Sequence, residues 1–241
     1  MRMKTDINCD MGEGMADDAF IMPYISSANI ACGAHAGDTD SIQETIELAL
    51  QYSVRIGAHI SYPDREHFGR RVVAMEAAAL QDSLLNQLYL MERIAGQCGC
   101  SVQHVKPHGA LYNQAAADSD MARLIADTLQ QFNDGIPLFA LSGSKGAEIA
   151  AAAGITVWQE VFADRRYQAD GSLTPRSEPD AVLEDADELQ NQVRSLIEQG
   201  TVRTREGSLL HLHADTICMH GDHPQARRNA ALIGRLLSER S

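Results

Sequence analysis

The amino-acid sequence predicts an α/β fold of parallel strands joined by crossover helices, and three observations carry that expectation. Short β-rich runs alternate with helical stretches along almost the whole chain, the helical stretches hold apolar residues at helical spacing, and polar residues gather at the C-terminal ends of the runs. With 241 residues, 44% of them hydrophobic, the chain can fill one large core, and nothing reads as an interdomain linker. A single domain over 1–241 is expected.

Seven runs read as strands: TDINCD (5–10), ANIACG (29–33 and its flanks), RIGAHIS (55–61), HVKPHG (104–109), PLFALSG (137–143), TVWQEVF (156–162) and TICMHG (216–221). Each is short and rich in β-branched, aromatic or small residues, with a glycine, proline or polar residue closing it. Helices are expected between them at 41–52, around 75–97, and at 121–132, 145–153 and 187–200, with 226–239 last; Ile42 and Ile46, or Leu189, Val193 and Leu196, show the spacing. RTREGSLLHLH (203–213) reads as a small hairpin near 201–213 turning at Glu206-Gly207. Two long interruptions, 61–74 and 163–184, have the length of functional loops.

Composition excludes several function classes. Net charge is −13 and the 20 basic residues form no patch that could follow a phosphate backbone, so no nucleic-acid partner is expected. No apolar run has the length of a membrane span and MRMKTDINCD lacks the apolar centre of a signal peptide, so a cytoplasmic protein without membrane contact is expected. Five cysteines, three of them inside strand-like runs, fit reduced thiols, and Cys98-Gly-Cys100 fits a helix-end turn better than a metal or redox pair.

The polar residues point to the site. Asp10, His35, His59, His108, Asp164 and Asp222 stand at or just beyond strand ends, the edge where parallel α/β folds build active sites. Alternation puts Asp6, Asn8 and Asp10 on one face, Lys106 with His108 on another, and His220 with Asp222 on a third. Lys106 in an apolar strand needs a carboxylate such as Asp10 or Glu13, and could then stabilise an oxyanion or phosphate. His104 lies at the opposite end of the same strand and falls outside that pair. Arg70, Arg71, Arg165 and Arg166, in the two long loops, could clamp a carboxylate or phosphate. Gly33, Gly37, Gly57, Gly109 and Gly221 mark sharp turns or close approach of the backbone to a ligand. His211 and His213 read as surface residues of the hairpin, and His223 before Pro224 reads as a helix start. GSKGAE (143–148) lacks the spacing of a nucleotide-binding loop, and no helix carries paired histidines four apart beside a glutamate.

Six blocks together carry a family resemblance: DINCDMGE (6–13), SANIACGAHAGD (27–38), IGAHISYPD with FGRR (56–64 and 68–71), HVKPHGALYN (104–113), EVFADRRY with DGSLTPRS (160–167 and 170–177) and ADTICMHGD (214–222). The chain resembles the LamB/YcsF family nearly end to end. That resemblance implies a seven-stranded parallel β/α barrel similar to the glycoside hydrolase/deacetylase superfamily. It also implies cleavage of 5-oxoproline (pyroglutamate) to L-glutamate coupled to hydrolysis of ATP to ADP and phosphate, with two further 5-oxoprolinase subunits, B and C, as partners. ATP would then sit on or be shared with those partners. Gly14-Met15 and Ile60-Ser61 depart from the family pattern while leaving the polar set intact.

On this reading Asp10 or His59 is the base for water, Lys106 and His108 hold the phosphoryl or oxyanion charge, and Asn8, Glu13, His35, Arg70, Arg71, Asp164, Arg165, His220 and Asp222 bind substrate or orient those groups. Two other readings remain open. One is a stand-alone metal-dependent amidohydrolase or deacetylase, with a divalent metal on Asp10, His35 and His59 or His108. The other is a substrate-binding scaffold without chemistry of its own.

Overall fold

The computed structural model describes residues 5–221 and 225–238. In chain order the elements are β1 (Asp6–Met11), α1 (Asp18–Ile21), a 3-10 turn (Met22–Tyr24), β2 (Ser27–Ala31), α2 (Thr39–Gln51), β3 (Arg55–Ile60), α3 (Ala77–Gln97), β4 (His104–Pro107), α4 (Gly109–Ala117) and α5 (Ser119–Asn133). They continue with β5 (Leu138–Leu141), α6 (Lys145–Ala152), β6 (Val157–Phe162), α7 (Ala186–Gln199), β7 (Thr201–Arg203), β8 (Leu209–His211), β9 (Thr216–Met219) and α8 (Ala226–Ser238). Seven strands close a barrel in the order β1-β2-β3-β4-β5-β6-β9, with every neighbouring pair parallel. β7 and β8 form the separate antiparallel hairpin between α7 and β9.

Local chemistry explains the boundaries. Asp38 caps α2 in a reciprocal box with Ser41, and Asp118, Ser144 and Asp185 accept first-turn N–H groups of α5, α6 and α7. α7 ends at Gly200 in the left-handed conformation. Cys98 closes α3 and Gly99 turns the chain, so Cys98-Gly-Cys100 is a helix-end turn; all five cysteines are free. The strand read as 104–109 stops at Pro107, because His108 is already the residue before α4.

Outward strand faces supply the core beneath the helices, with Ile7, Cys9, Ile30, Ile56, Ala58, Val105, Val161 and Ile217 all buried. The barrel interior is different. Where such barrels are usually filled by branched aliphatic side chains, this one holds a hydrogen-bonded polar column. At its lower end Asp6 accepts from Ser27 Oγ (2.9 Å), Thr216 Oγ1 (2.6 Å) and the Arg55 guanidinium. Above it Asn8 donates to Glu160 and Thr216, and Asn29 donates to Asn8 and Asp10. His104 crosses this middle layer, donating to Asn29 Oδ1 at 2.8 Å and stacking on Phe139. Gly57 makes room for it: a Cβ there would lie 2.0 Å from His104 Nε2. His104 is thus a barrel-filling residue one layer below the mouth. Among the described residues, no helix is long and apolar enough to cross a membrane.

Candidate active site

The top of the polar column is a charged floor. Lys106 Nζ, from β4, reaches across the barrel to Asp10 Oδ1 of β1 (2.9 Å), Glu160 Oε1 of β6 (3.0 Å) and Cys218 Sγ of β9 (3.1 Å). Burial opposes charge on this lysine, but Asp10, Cys218 and Glu160 more than offset it and push its pKa well above the ordinary value. Asp10 is the mirror case. Burial pushes its pKa up, yet His59 and Lys106 outweigh that and hold it well below the usual carboxylate range. The floor at neutral pH is therefore an ammonium held against the Asp10 carboxylate, with Glu160 on its other side and Cys218 kept as a thiol by burial.

Beside Asp10 stand three imidazoles. His59 places Nε2 3.2 Å from Asp10 Oδ2 and 2.9 Å from His108 Nδ1, while its Nδ1 meets the Lys106 carbonyl. His108 Nε2 meets the Phe68 carbonyl at 2.9 Å, and its ring stacks on His35 with centroids 3.9 Å apart. His35 bridges Ser61 Oγ (2.9 Å) and Glu13 Oε1 (3.0 Å). Burial drives His35 down to about 3 and His108 well below the usual range, with His59 adding to both shifts. The 61–74 loop holds this group in place. Phe68 adopts φ of 56°, a strained value for an aromatic residue, and Gly69 O accepts from Ala110 N at the start of α4. A Cβ at Gly109, itself at φ of 54°, would lie 2.5 Å from that same oxygen, so the loop can seat only against a glycine.

Asp10, Glu13, His59, Lys106 and His108 form the base of a cavity of about 770 Å³, whose walls include Tyr112, Asn113, Gly143, Ser144, Lys145, Phe162, His220 and the 168–177 stretch. Arg70, Arg165 and Arg176 line it, giving a cationic rim above the floor. Burial and the neighbouring Arg176 lower Arg165 to about 10, so it stays charged at neutral pH. Its guanidinium donates to the carbonyls of Ala181 and Thr174, which fixes the 163–184 loop against the mouth.

Several residues expected to meet substrate are committed elsewhere. Arg71 is exposed and outside the cavity lining, because the chain leaves the mouth after Arg70. Asn8 is fully buried in the column, its side chain shared among Glu160, Thr216, Asn29 and Lys106. Arg166 pairs with Glu188 on α7. Asp164 is buried and receives His220 Nδ1 at 2.9 Å and His220 N at 3.1 Å, so it orients His220 toward the cavity. Asp222 and His223 lie outside the described residues. His213 is exposed and bonded to Asp215, as its place in the hairpin suggested. The reading of the residues missed Glu160, Arg176, Ser61 and Phe68. Glu160 was within reach, being a carboxylate inside an apolar strand at the same kind of position as Lys106.

The Asp164–His220 pair has a measurable consequence. Burial alone would raise the Asp164 pKa, but the His220 charge and hydrogen bonds lower it from 3.8 to about 2. A depressed carboxylate stabilises the fold fully above its unfolded pKa, and that contribution is lost as pH falls through the folded value. Between pH 4 and pH 2 the wild type is therefore expected to lose about 2 kcal/mol more unfolding free energy than Asp164→Asn, by urea titration. Equal losses would refute the coupling.

Residues 5–241 match the model of the LamB/YcsF family. The chain is 43% identical over 231 residues, 94% of its length and 92% of theirs, to proteins of Bordetella pertussis and Bordetella parapertussis that are named as subunits of 5-oxoprolinase. Its fold superposes on the crystal structure of the lactam utilization protein from Thermus thermophilus with a TM-score of 0.91 and 36% identity, covering 99% of this chain and 97% of that one. A cellobiose-phosphate cleavage protein of Enterococcus faecalis, at TM-score 0.59 and 11% identity over 98% of this chain and 92% of that one, shares the barrel alone. Sequence over the whole length and a closed seven-stranded barrel with its polar mouth lead to one assignment: the chain belongs to the LamB/YcsF family.

Proposed function

We propose that this chain opens the lactam ring of 5-oxoproline to give L-glutamate, as one subunit of a 5-oxoprolinase in which ATP is hydrolysed to ADP and phosphate. The observation that carries the reading is the Lys106–Asp10 pair, a buried cation and carboxylate 2.9 Å apart at the base of a large cavity rimmed by arginines. The names of the relatives from Bordetella support it.

The chemistry follows from the side chains. A lactam carbonyl is resonance-stabilised and resists water, and its ring opening is close to uphill, so coupling to ATP is needed. Phosphorylation of the lactam oxygen makes the ring carbon electrophilic. Water adds there, and the ring C–N bond breaks as its nitrogen takes a proton and leaves as the amine. A second water hydrolyses the resulting γ-glutamyl phosphate to L-glutamate and phosphate. Asp10 takes the proton from the first attacking water. Its depressed pKa makes it a weak base, which suits an activated ring better than an unactivated amide. Lys106 stabilises negative charge on the oxygen, and Arg70, Arg165 or Arg176 holds the substrate carboxylate. His59 and His108, whose nitrogens face Asp10, one another and backbone carbonyls, orient the base rather than touch the ring.

Two partner subunits, B and C, carry the phosphorylation in this scheme. Gly143, Ser144 and Lys145 line the cavity, yet Ser144 Oγ accepts from Ala147 N as the cap of α6 and the 143–148 segment lacks nucleotide-loop spacing. A stand-alone metal-dependent amidohydrolase is the second reading, favoured by the imidazole group beside Asp10. One experiment separates them: the chain is incubated with and without subunits B and C, supplying 5-oxoproline and ATP, while glutamate and phosphate are followed together. Glutamate and phosphate rising in step, only in the complete mixture, is the expected result. Glutamate from the chain alone without ATP selects the second reading.

A further inference from the structure

The hydrogen-bond partners of the three mouth histidines determine which ring nitrogen of each is left to meet a metal. His59 Nδ1 faces the Lys106 carbonyl at 2.9 Å, and a carbonyl only accepts, so Nδ1 carries a hydrogen and Nε2 is the nitrogen left to meet a metal. His108 Nε2 faces the Phe68 carbonyl at 2.9 Å, so its lone pair is on Nδ1. Ser61 Oγ donates to the Tyr62 carbonyl, which leaves it to accept from His35 Nδ1 and puts the His35 lone pair on Nε2.

The three remaining ring nitrogens converge with a carboxylate oxygen. His59 Nε2 and His108 Nδ1 are 2.9 Å apart, and Glu13 Oε1 lies 3.0 Å from His35 Nε2, 3.4 Å from His108 Nδ1 and 3.9 Å from His59 Nε2. One ligand atom from each of the four residues falls within 4.8 Å of the others. The 2.9 and 3.0 Å contacts share protons as they stand, and a metal ion would displace those protons and take all four groups as ligands. Tetrahedral ligands about 2.0–2.1 Å from a metal stand about 3.3–3.4 Å from one another, and the distances here bracket that value. Each ring is also held by a carbonyl or hydroxyl on its other nitrogen, the outer partnership that orients metal-bound histidines.

We propose that Glu13, His35, His59 and His108 form a binding site for one divalent transition metal, of the class that takes three imidazoles and a carboxylate, with Zn²⁺ as its probe. The inference is independent of the ring-opening reading, since it concerns metal uptake and not substrate. The site adjoins Asp10, whose Oδ2 is 3.2 Å from His59 Nε2, so the ion would add positive charge beside the cavity floor. The other acidic and thiol grouping, Asp10 with Cys218 and His220, is a poorer candidate because Lys106 already occupies Asp10 and Cys218.

The test uses the full-length chain without an affinity tag, stripped with a chelator, dialysed and reloaded with Zn²⁺ or Co²⁺. Metal content by mass spectrometry is expected to reach about one ion per chain, and Co²⁺ to give visible absorption without a thiolate charge-transfer band. Glu13→Gln and His35→Ala should lose that ion. Ser61→Ala, which removes only the partner that orients His35, should weaken Zn²⁺ affinity by about 10-fold or more in calorimetry, and His213→Ala should leave it unchanged. The wild type decides the matter even if a variant fails to fold. Uptake below about a tenth of an equivalent overturns the proposal and leaves the four groups sharing protons, and a thiolate band overturns it in favour of the Cys218 grouping.

Discussion

Lys106→Met is expected to lower glutamate formation by the reconstituted complex by about 10²–10³-fold, the usual cost of removing a preorganised charge that stabilises an oxyanion. Methionine matches the length of the lysine stem, so the loss reports the ammonium group. The same change should cost about 3–5 kcal/mol of stability, because it strands Asp10 and Glu160 as buried carboxylates that Lys106 now holds at 2.9 and 3.0 Å. The two effects separate in the double variant Lys106→Met with Glu160→Gln. Removing the second carboxylate should restore part of the stability, read by urea unfolding, while turnover stays low. Turnover that recovers with stability would make Lys106 a structural residue, and unchanged turnover in the single variant would reduce the chain to a scaffold.

Asp10→Asn is expected to lower kcat by about 10²–10⁴-fold with little change in KM, the pattern for a proton acceptor that acts in the transition state. Its effect on stability should be smaller than that of Lys106→Met, because Lys106 keeps Glu160 as a partner and the amide keeps the shape of the carboxylate. Steady-state kinetics of the complete complex at saturating ATP makes the measurement. A rise in KM at constant kcat would assign Asp10 to substrate binding instead.

Much of the fold was legible because local and global preferences agree. β-branched runs ended by glycine or polar residues became the seven barrel strands, and the apolar spacing of 41–52, 121–132 and 187–200 became α2, α5 and α7 within two residues at each end. The hairpin turning at Glu206-Gly207 is present as β7 and β8. α4 was harder to read, since Gly109-Ala110-Leu111-Tyr112 follows a strand directly and its residues show no strong amphipathic pattern. Its start is decided by the contact between Gly109 and Gly69 across the mouth.

For the site, sequence alone determined which residues stand at strand ends, and alternation put Asp10, Lys106 and His108 at the correct edge. Seven parallel strands and their polar ends follow from short-range rules, because a residue's face in a strand depends only on its parity. What only the tertiary structure decided is which faces look at one another. Closing β9 onto β1 and β6 brings Glu160, Cys218 and Asp10 around a single ammonium, and docking of the 61–74 loop turns three imidazoles toward Glu13. Those partners lie on strands far apart along the chain, so no local pattern encodes them. Arg71 shows the same limit in reverse: beside Arg70 in sequence it looked equivalent, and one step of backbone direction carries it out of the cavity.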